Sequence, residues 1–183
     1  MNDQNQHAPA QRLLVVMPTW IGDTVMATPT LRALRHLYPQ AHITALVRTM
    51  VKPILDACPW IDRMVTARSR KNASPERKLN RRFTLARRLA TGRFDTAVLL
   101  PNSFRSALLV RTAGISRRVG YDRDGRGFLL TDRLLPRRVR GRYIPVPTRD
   151  YYLGIARYLG ASEPDPTMEL FARPEHTFKV TYA

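Results

Sequence analysis

The sequence predicts an α/β domain built on a doubly wound parallel sheet. Three observations predict it. Short continuous apolar runs recur, the first being Leu13-Leu14-Val15-Val16-Met17, as strands buried on both faces read. Stretches with helical spacing separate these runs. The length of 183 residues suits one domain and is enough to bury a continuous core.

The elements follow in order. After the first strand, Pro18 leads into a helical stretch whose stripe is Met26, Ala33, Leu34, Leu37 and Tyr38. Pro29 cannot lie deep inside a regular helix, so Thr28 caps and Pro29 opens the helix, or the helix kinks there. Residues 42–47 form the second strand, 51–57 a short helix and 62–67 the third strand, with Met64 and Val65 inward. Residues 68–77 read as a basic loop. Leu79, Phe83, Ala86 and Leu89 step by helical intervals, so 75–90 is an amphipathic helix, with Arg77, Lys78, Arg81, Arg82, Arg87 and Arg88 on its other face. Residues 96–100 are the fourth strand, 104–113 a helix and 118–121 a fifth short strand. A glycine-rich polar loop over 122–127 and an irregular basic stretch over 137–149 follow. A last helix over 150–159 ends at Gly160. The boundaries expected are a disordered leader over 1–11, the domain over 12–162, and a linker or truncated tail over 163–183.

Composition bounds the function. Lys and Arg total 31 against 14 Asp and Glu, a net charge of +17. That field attracts polyanions such as nucleic acid, a phosphorylated glycolipid or an anionic membrane face. A host bias toward Arg is the bland explanation for part of it. No run of eighteen apolar residues spans a membrane, and the polar N-terminus lacks a secretory h-region. Cys58, the one cysteine, reads as a buried structural thiol near a helix end.

Right-handed crossovers place the strand-to-helix turns along one edge of the sheet, where ligands of such folds bind. The turns after Met17 and Leu100 therefore carry the candidates. In Thr19-Trp20-Ile21-Gly22-Asp23, Gly22 permits unusual torsions and close approach of a ligand. Asp23 offers a carboxylate able to accept a proton from an attacking hydroxyl, or it caps the helix. After the fourth strand, Asn102 or Ser103 caps the next helix or meets ligand. Arg105 forks around an anionic group or is a solvated surface Arg. Other chemistries find little support. No dinucleotide fingerprint, phosphate-binding lysine loop or nucleophile elbow is present, and the four histidines show no metal spacing. The basic helix lacks interleaved aromatics, so no specific nucleic acid is expected.

Residues 13–23 together with Thr28-Pro29-Thr30-Leu31-Arg32-Ala33-Leu34 resemble the opening of the ADP-heptose:lipopolysaccharide heptosyltransferases, glycosyltransferase family 9. Residues 94–107, with Leu100-Pro101-Asn102-Ser103-Phe104-Arg105 at their centre, resemble that family's second hallmark, nearer the heptosyltransferase II branch. Gly114-Ile115 and Arg118-Val119-Gly120-Tyr121 continue the likeness, which covers roughly 12 to 160. The resemblance implies the Rossmann-like N-terminal half of a GT-B fold. It implies inverting transfer of heptose from ADP-heptose to the Kdo/heptose inner core of lipopolysaccharide, with no metal and no cofactor beyond the donor substrate. Asp23 then maps onto the family's proposed general base. Thr19, Trp20, Asn102, Ser103 and Arg105 fall on the acceptor side, and Gly22 lies near the donor. The implied partners are Kdo-lipid A or heptosyl-Kdo-lipid A and the anionic inner-membrane face, at which a cytoplasmic enzyme would sit peripherally. The likeness reaches only the first domain of the family, so the chain by itself is expected to be inactive. The alternatives are a GT-B transferase for another anionic acceptor and a basic nucleic-acid-binding α/β module.

Overall fold

A computed structural model describes residues 10–67 and 74–173. The expected leader up to residue 9, residues 68–73 of the expected basic loop and the end of the tail over 174–183 lie outside the described residues. Six strands form one parallel sheet: β1 (Arg12–Val16), β2 (His42–Arg48), β3 (Arg63–Ala67), β4 (Thr96–Leu99), β5 (Arg117–Tyr121) and β6 (Asp132–Leu134). Their order across the sheet is β3-β2-β1-β4-β5-β6. The reversal of direction from β1 to β4 makes the sheet doubly wound, and ligand crevices open at that point.

Helices cover both faces. α1 (Ile21–Met26), α2 (Thr28–Leu37), α3 (Lys52–Leu55) and α6 (Thr148–Tyr158) join one core, where Leu13, Val15, Leu31, Leu34 and Ile155 are buried. α4 (Pro75–Ala90) and α5 (Phe104–Thr112) join the other, with Leu14, Val16, Leu89, Ala107 and Val110. Alternate residues of β1 thus serve opposite cores, which explains its unbroken apolar run. Met64 and Val65 likewise pack on opposite faces of β3.

Carboxylates pin the amino ends of the strands. Asp95 Oδ2 accepts from the backbone N–H groups of Gln11 (2.9 Å) and Arg12 (2.7 Å), tying β1 to the chain before β4. Asp62 Oδ2 accepts from the Ile43 N–H and from Arg35 Nη2, each at 2.6 Å.

The structure corrects four expectations. The stretch after β1 is two helices, broken at Ala27. A proline at position 29 has no N–H to give and would clash with the Val25 carbonyl in a continuous helix. The Thr28 hydroxyl donates to that carbonyl instead (2.8 Å), so Thr28 is the first residue of α2 and not its cap. Second, a sixth strand, β6, follows the polar loop. Third, the basic stretch contains an antiparallel hairpin, β7 (Arg138–Val139) with β8 (Arg142–Tyr143). Its turn places Arg140 and Gly141 at positive φ, and the many charges masked any strand alternation. Fourth, α4 keeps its predicted bounds, but only Ala86 and Leu89 of its stripe are buried. Leu79 is 51% and Phe83 54% exposed, so the apolar stripe is covered only toward the C-terminal end of α4.

Beyond α6, Gly160 at φ 112° turns the chain away. Residues 161–173 carry no regular element, yet they run back over the domain. Arg32 pairs with Asp165 and Glu169, both at 2.9 Å, and the Phe171 ring meets Trp60 edge-on.

Candidate active site

The turns after β1 and β4 lie side by side at the carboxyl edge of the sheet. Backbone bonds from the Met17 N–H to Leu46 and from the Leu100 N–H to Val16 extend the strands to their last apolar residue. The chain then leaves the sheet at Pro18 and Pro101, neither of which could donate to a further ladder bond. α1 begins with Trp20 as its N-cap. The Thr24 N–H (3.0 Å) and hydroxyl (2.9 Å) both donate to the Trp20 carbonyl, which fixes the first turn.

This construction carries Asp23 into a cleft of about 740 Å³. Asn102 lines the same cleft from the turn after β4. Arg123, Arg137 and Arg157 bring positive charge, and Asp150 adds a second carboxylate. Asp23 lies in the first turn of α1, and that helix has no side-chain cap bond. Its carboxylate is therefore left to face the cleft. It is close enough to Tyr152 to help burial, the larger cause, push that phenol's pKa upward.

The other predicted residues are distributed around this centre. Thr19 and Trp20 are exposed at the turn, Trp20 by 69%. Gly22 is exposed too, but it lies within α1 and not in the left-handed region. Gly22 thus adopts ordinary helical torsions that any residue could take. A Cβ there would meet open space. Ser103 caps α5, its hydroxyl accepting from the Ser106 N–H at 3.4 Å. Arg105 is exposed in the first turn of α5 and does not line the cleft. The structure thus brings Asp23 and Asn102 into one cleft, and Thr19, Trp20, Gly22, Ser103 and Arg105 are not part of its lining.

Sequence reasoning missed the layer behind Asn102. Arg126, in the glycine-rich loop, has 0% of its surface exposed. It donates from Nε to the Tyr121 carbonyl (2.9 Å), from Nη1 to the Pro101 carbonyl, and from Nη2 to Asn102 Oδ1 (3.2 Å). The Tyr151 hydroxyl donates to the same Asn102 oxygen at 3.0 Å. The Tyr121 and Tyr151 rings stack at 3.8 Å. Burial lowers the Arg126 pKa. Burial raises that of Tyr151 and, helped by Tyr151, pushes Tyr121 to about 12. Both phenols therefore stay neutral at neutral pH. One arginine among so many carries no sequence mark of burial. The one available hint was the glycine-rich loop, whose Asp124 (φ 56°) and Gly125 (φ 70°) turn the chain back toward β5.

Outside the cleft, burial raises the pKa of the Cys58 thiol, as a structural cysteine requires. No metal-holding cluster of His, Cys, Asp or Glu occurs among the described residues.

Comparison with known proteins gives this geometry a class. The structure of E. coli ADP-heptose lipopolysaccharide heptosyltransferase II matches 90% of this chain and 47% of its own, with TM-score 0.69 and 27% identity. A glycosyltransferase family 9 structure from Veillonella parvula matches with TM-score 0.75 and 19% identity, over 90% of this chain and 46% of its own. The fold is that of one Rossmann-like half of a GT-B glycosyltransferase. Residues 82–146 match the model of glycosyltransferase family 9 (heptosyltransferase). Lipopolysaccharide heptosyltransferase 2 of Escherichia coli K12 is 34% identical over 121 residues, which are 66% of this chain and 34% of that protein. The chain is similar to glycosyltransferase family 9 over residues 82–146, and it spans about a third of the length of the curated relatives it matches.

Proposed function

We propose that this chain is the acceptor-side half of a lipopolysaccharide heptosyltransferase, with Asp23 as general base. The observation that carries the reading is the cleft shared by Asp23 and Asn102 at the switch point of the sheet, ringed by arginines. An acceptor bearing Kdo carboxylates and phosphates suits that charge. In the reaction a sugar hydroxyl of the inner core attacks the anomeric carbon of ADP-heptose. The new C–O bond forms as the bond to ADP breaks, ADP leaves with the electron pair, and the configuration inverts. Asp23 takes the hydroxyl proton. Thr19, Trp20, Ser103 and Arg105 border the acceptor, and Gly22 leaves room for the donor sugar.

In this reading residues 12–162 are the acceptor domain, and the segment from 163 leads toward the half that holds ADP-heptose. No helix among the described residues is long and apolar enough to cross a membrane. The exposed arginines of α4, among them Arg77, Arg81 and Arg88, suit peripheral contact with an anionic inner-membrane face. Incubation of the purified 183-residue chain with ADP-heptose and Kdo-lipid A or heptosyl-Kdo-lipid A tests the division of labour. The chain alone transfers no heptose, and the chain joined to the C-terminal half of the E. coli relative does. Transfer by the chain alone would overturn the half-enzyme reading.

A further inference from the structure

Asn102 has an amide whose two ends are chemically distinct, and its surroundings use only one of them. Oδ1 receives two donors, Arg126 Nη2 at 3.2 Å and the Tyr151 hydroxyl at 3.0 Å. An arginine has no acceptor, so the end of the amide that faces Arg126 must be the oxygen. The orientation of Asn102 is therefore forced by chemistry. Its Nδ2 has no hydrogen-bond partner among the described residues, and Asn102 lines the cleft.

The clamp itself is rigidly built. Arg126 is held by two backbone carbonyls besides Asn102, those of Tyr121 and Pro101. Tyr151 cannot swing away without breaking its stack on Tyr121. Tyr121 is in turn wedged under Gly154, where any Cβ would overlap its hydroxyl. A chain of packed groups thus runs from helix α6 to one amide.

We propose that Arg126 and Tyr151 are positioning residues that clamp the Asn102 oxygen, so that the Asn102 amide nitrogen meets the acceptor as an obligate donor to an anionic oxygen. The assignment rests on the acceptor reading of the cleft. It adds which atom makes the contact, what it recognises and what holds it. Arg123 and Arg137 line the same cleft and favour a negative oxygen there over a neutral one. A Kdo carboxylate and a phosphate both offer such an oxygen.

Asn102→Asp is the discriminating variant. It keeps an oxygen for Arg126 and Tyr151 and gives the buried guanidinium a counter-charge, so the fold is retained. Toward the cleft it replaces two donors by an acceptor that repels anions. Binding of a phosphate-free heptosyl-Kdo oligosaccharide and of inorganic phosphate to the 183-residue chain would be followed by the side-chain amide resonances of ¹⁵N-labelled protein. The Asn102 amide pair, identified by its loss in N102D, shifts on addition of whichever probe supplies the oxygen. N102D then binds that probe at least tenfold more weakly, with an unchanged or raised Tm. Tyr151→Phe removes one clamp bond. It moves the Asn102 resonances before any ligand is added and weakens binding severalfold, which a purely structural role would not do. If the wild-type chain binds a probe but N102D binds it within twofold, or if the amide pair does not shift, the donor assignment fails and the acceptor reading stands. If neither probe binds the wild-type chain, the acceptor reading fails and the assignment falls with it.

Discussion

Gly154 shows at the scale of one residue how the site is braced from behind. A glycine inside a helix is normally worse than alanine by about 1 kcal/mol. In α6 the sign reverses, because a Cβ at Gly154 would strike the hydroxyl of a Tyr121 ring that is stacked on Tyr151 and has nowhere to go. Gly154→Ala is expected to lower stability in a urea melt, and Gly154→Ala with Tyr121→Phe to recover part of the loss. Arg126→Leu is expected to be severe, at about 2–5 kcal/mol, since it removes the buried donor that the Pro101, Tyr121 and Asn102 oxygens share. The two turns that carry Asp23 and Asn102 into the cleft were legible in the sequence, because strand-to-helix turns are readable from apolar runs and prolines. Arg126, Tyr121 and Tyr151 were not. They act through a side-chain network that joins a loop, a strand and a distant helix, and no local spacing reports it.

Elements were legible where one face settles their fate. β1, β2 and β4 are central strands, and their continuous apolar runs announced them. β6 and the β7–β8 hairpin are short, edge-lying and charged, so alternation gave no signal. α4 is instructive because its period was right and its burial was not. Periodicity reports that a face is apolar, while coverage depends on whether a neighbour reaches it. Leu89→Ala, at the covered end, should therefore cost about 2–4 kcal/mol, and Phe83→Ser at the bare end less than about 0.5 kcal/mol, by chemical denaturation. The β2–β3 edge has a pH signature. Burial would raise the Asp62 pKa, but the Ile43 N–H and Arg35 outweigh it and hold the carboxyl below its usual value. A depressed folded-state pKa contributes stability above the unfolded pKa, near 4, and loses it as pH falls through the folded value. Asp62→Asn should flatten the acid limb of a stability–pH curve below about pH 4, and an unchanged limb would refute the role of Asp62.

For the whole molecule, the parallel order β3-β2-β1-β4-β5-β6 decides where chemistry can occur. It sets the turns after β1 and β4 side by side and so joins two stretches of sequence some eighty residues apart. The net charge of +17 had pointed to polyanions in general. The cleft gives part of that charge a place, with Arg123, Arg137 and Arg157 around Asp23 and Asn102. Binding to generic duplex DNA should accordingly be weak, indifferent to sequence and steeply reduced by salt. A sequence-selective complex that persisted at high salt would favour a nucleic-acid module instead. The chain spans about a third of its curated relatives, so catalysis is tested with the partner half supplied. The most direct measurement is heptose transfer from ADP-heptose by the chain joined to the C-terminal half of the E. coli relative, with Asp23 intact and as Asp23→Ala. A general base predicts that kcat falls by about 10²–10⁴-fold in the variant with acceptor KM little changed, whereas turnover that survives within a few-fold would contradict it.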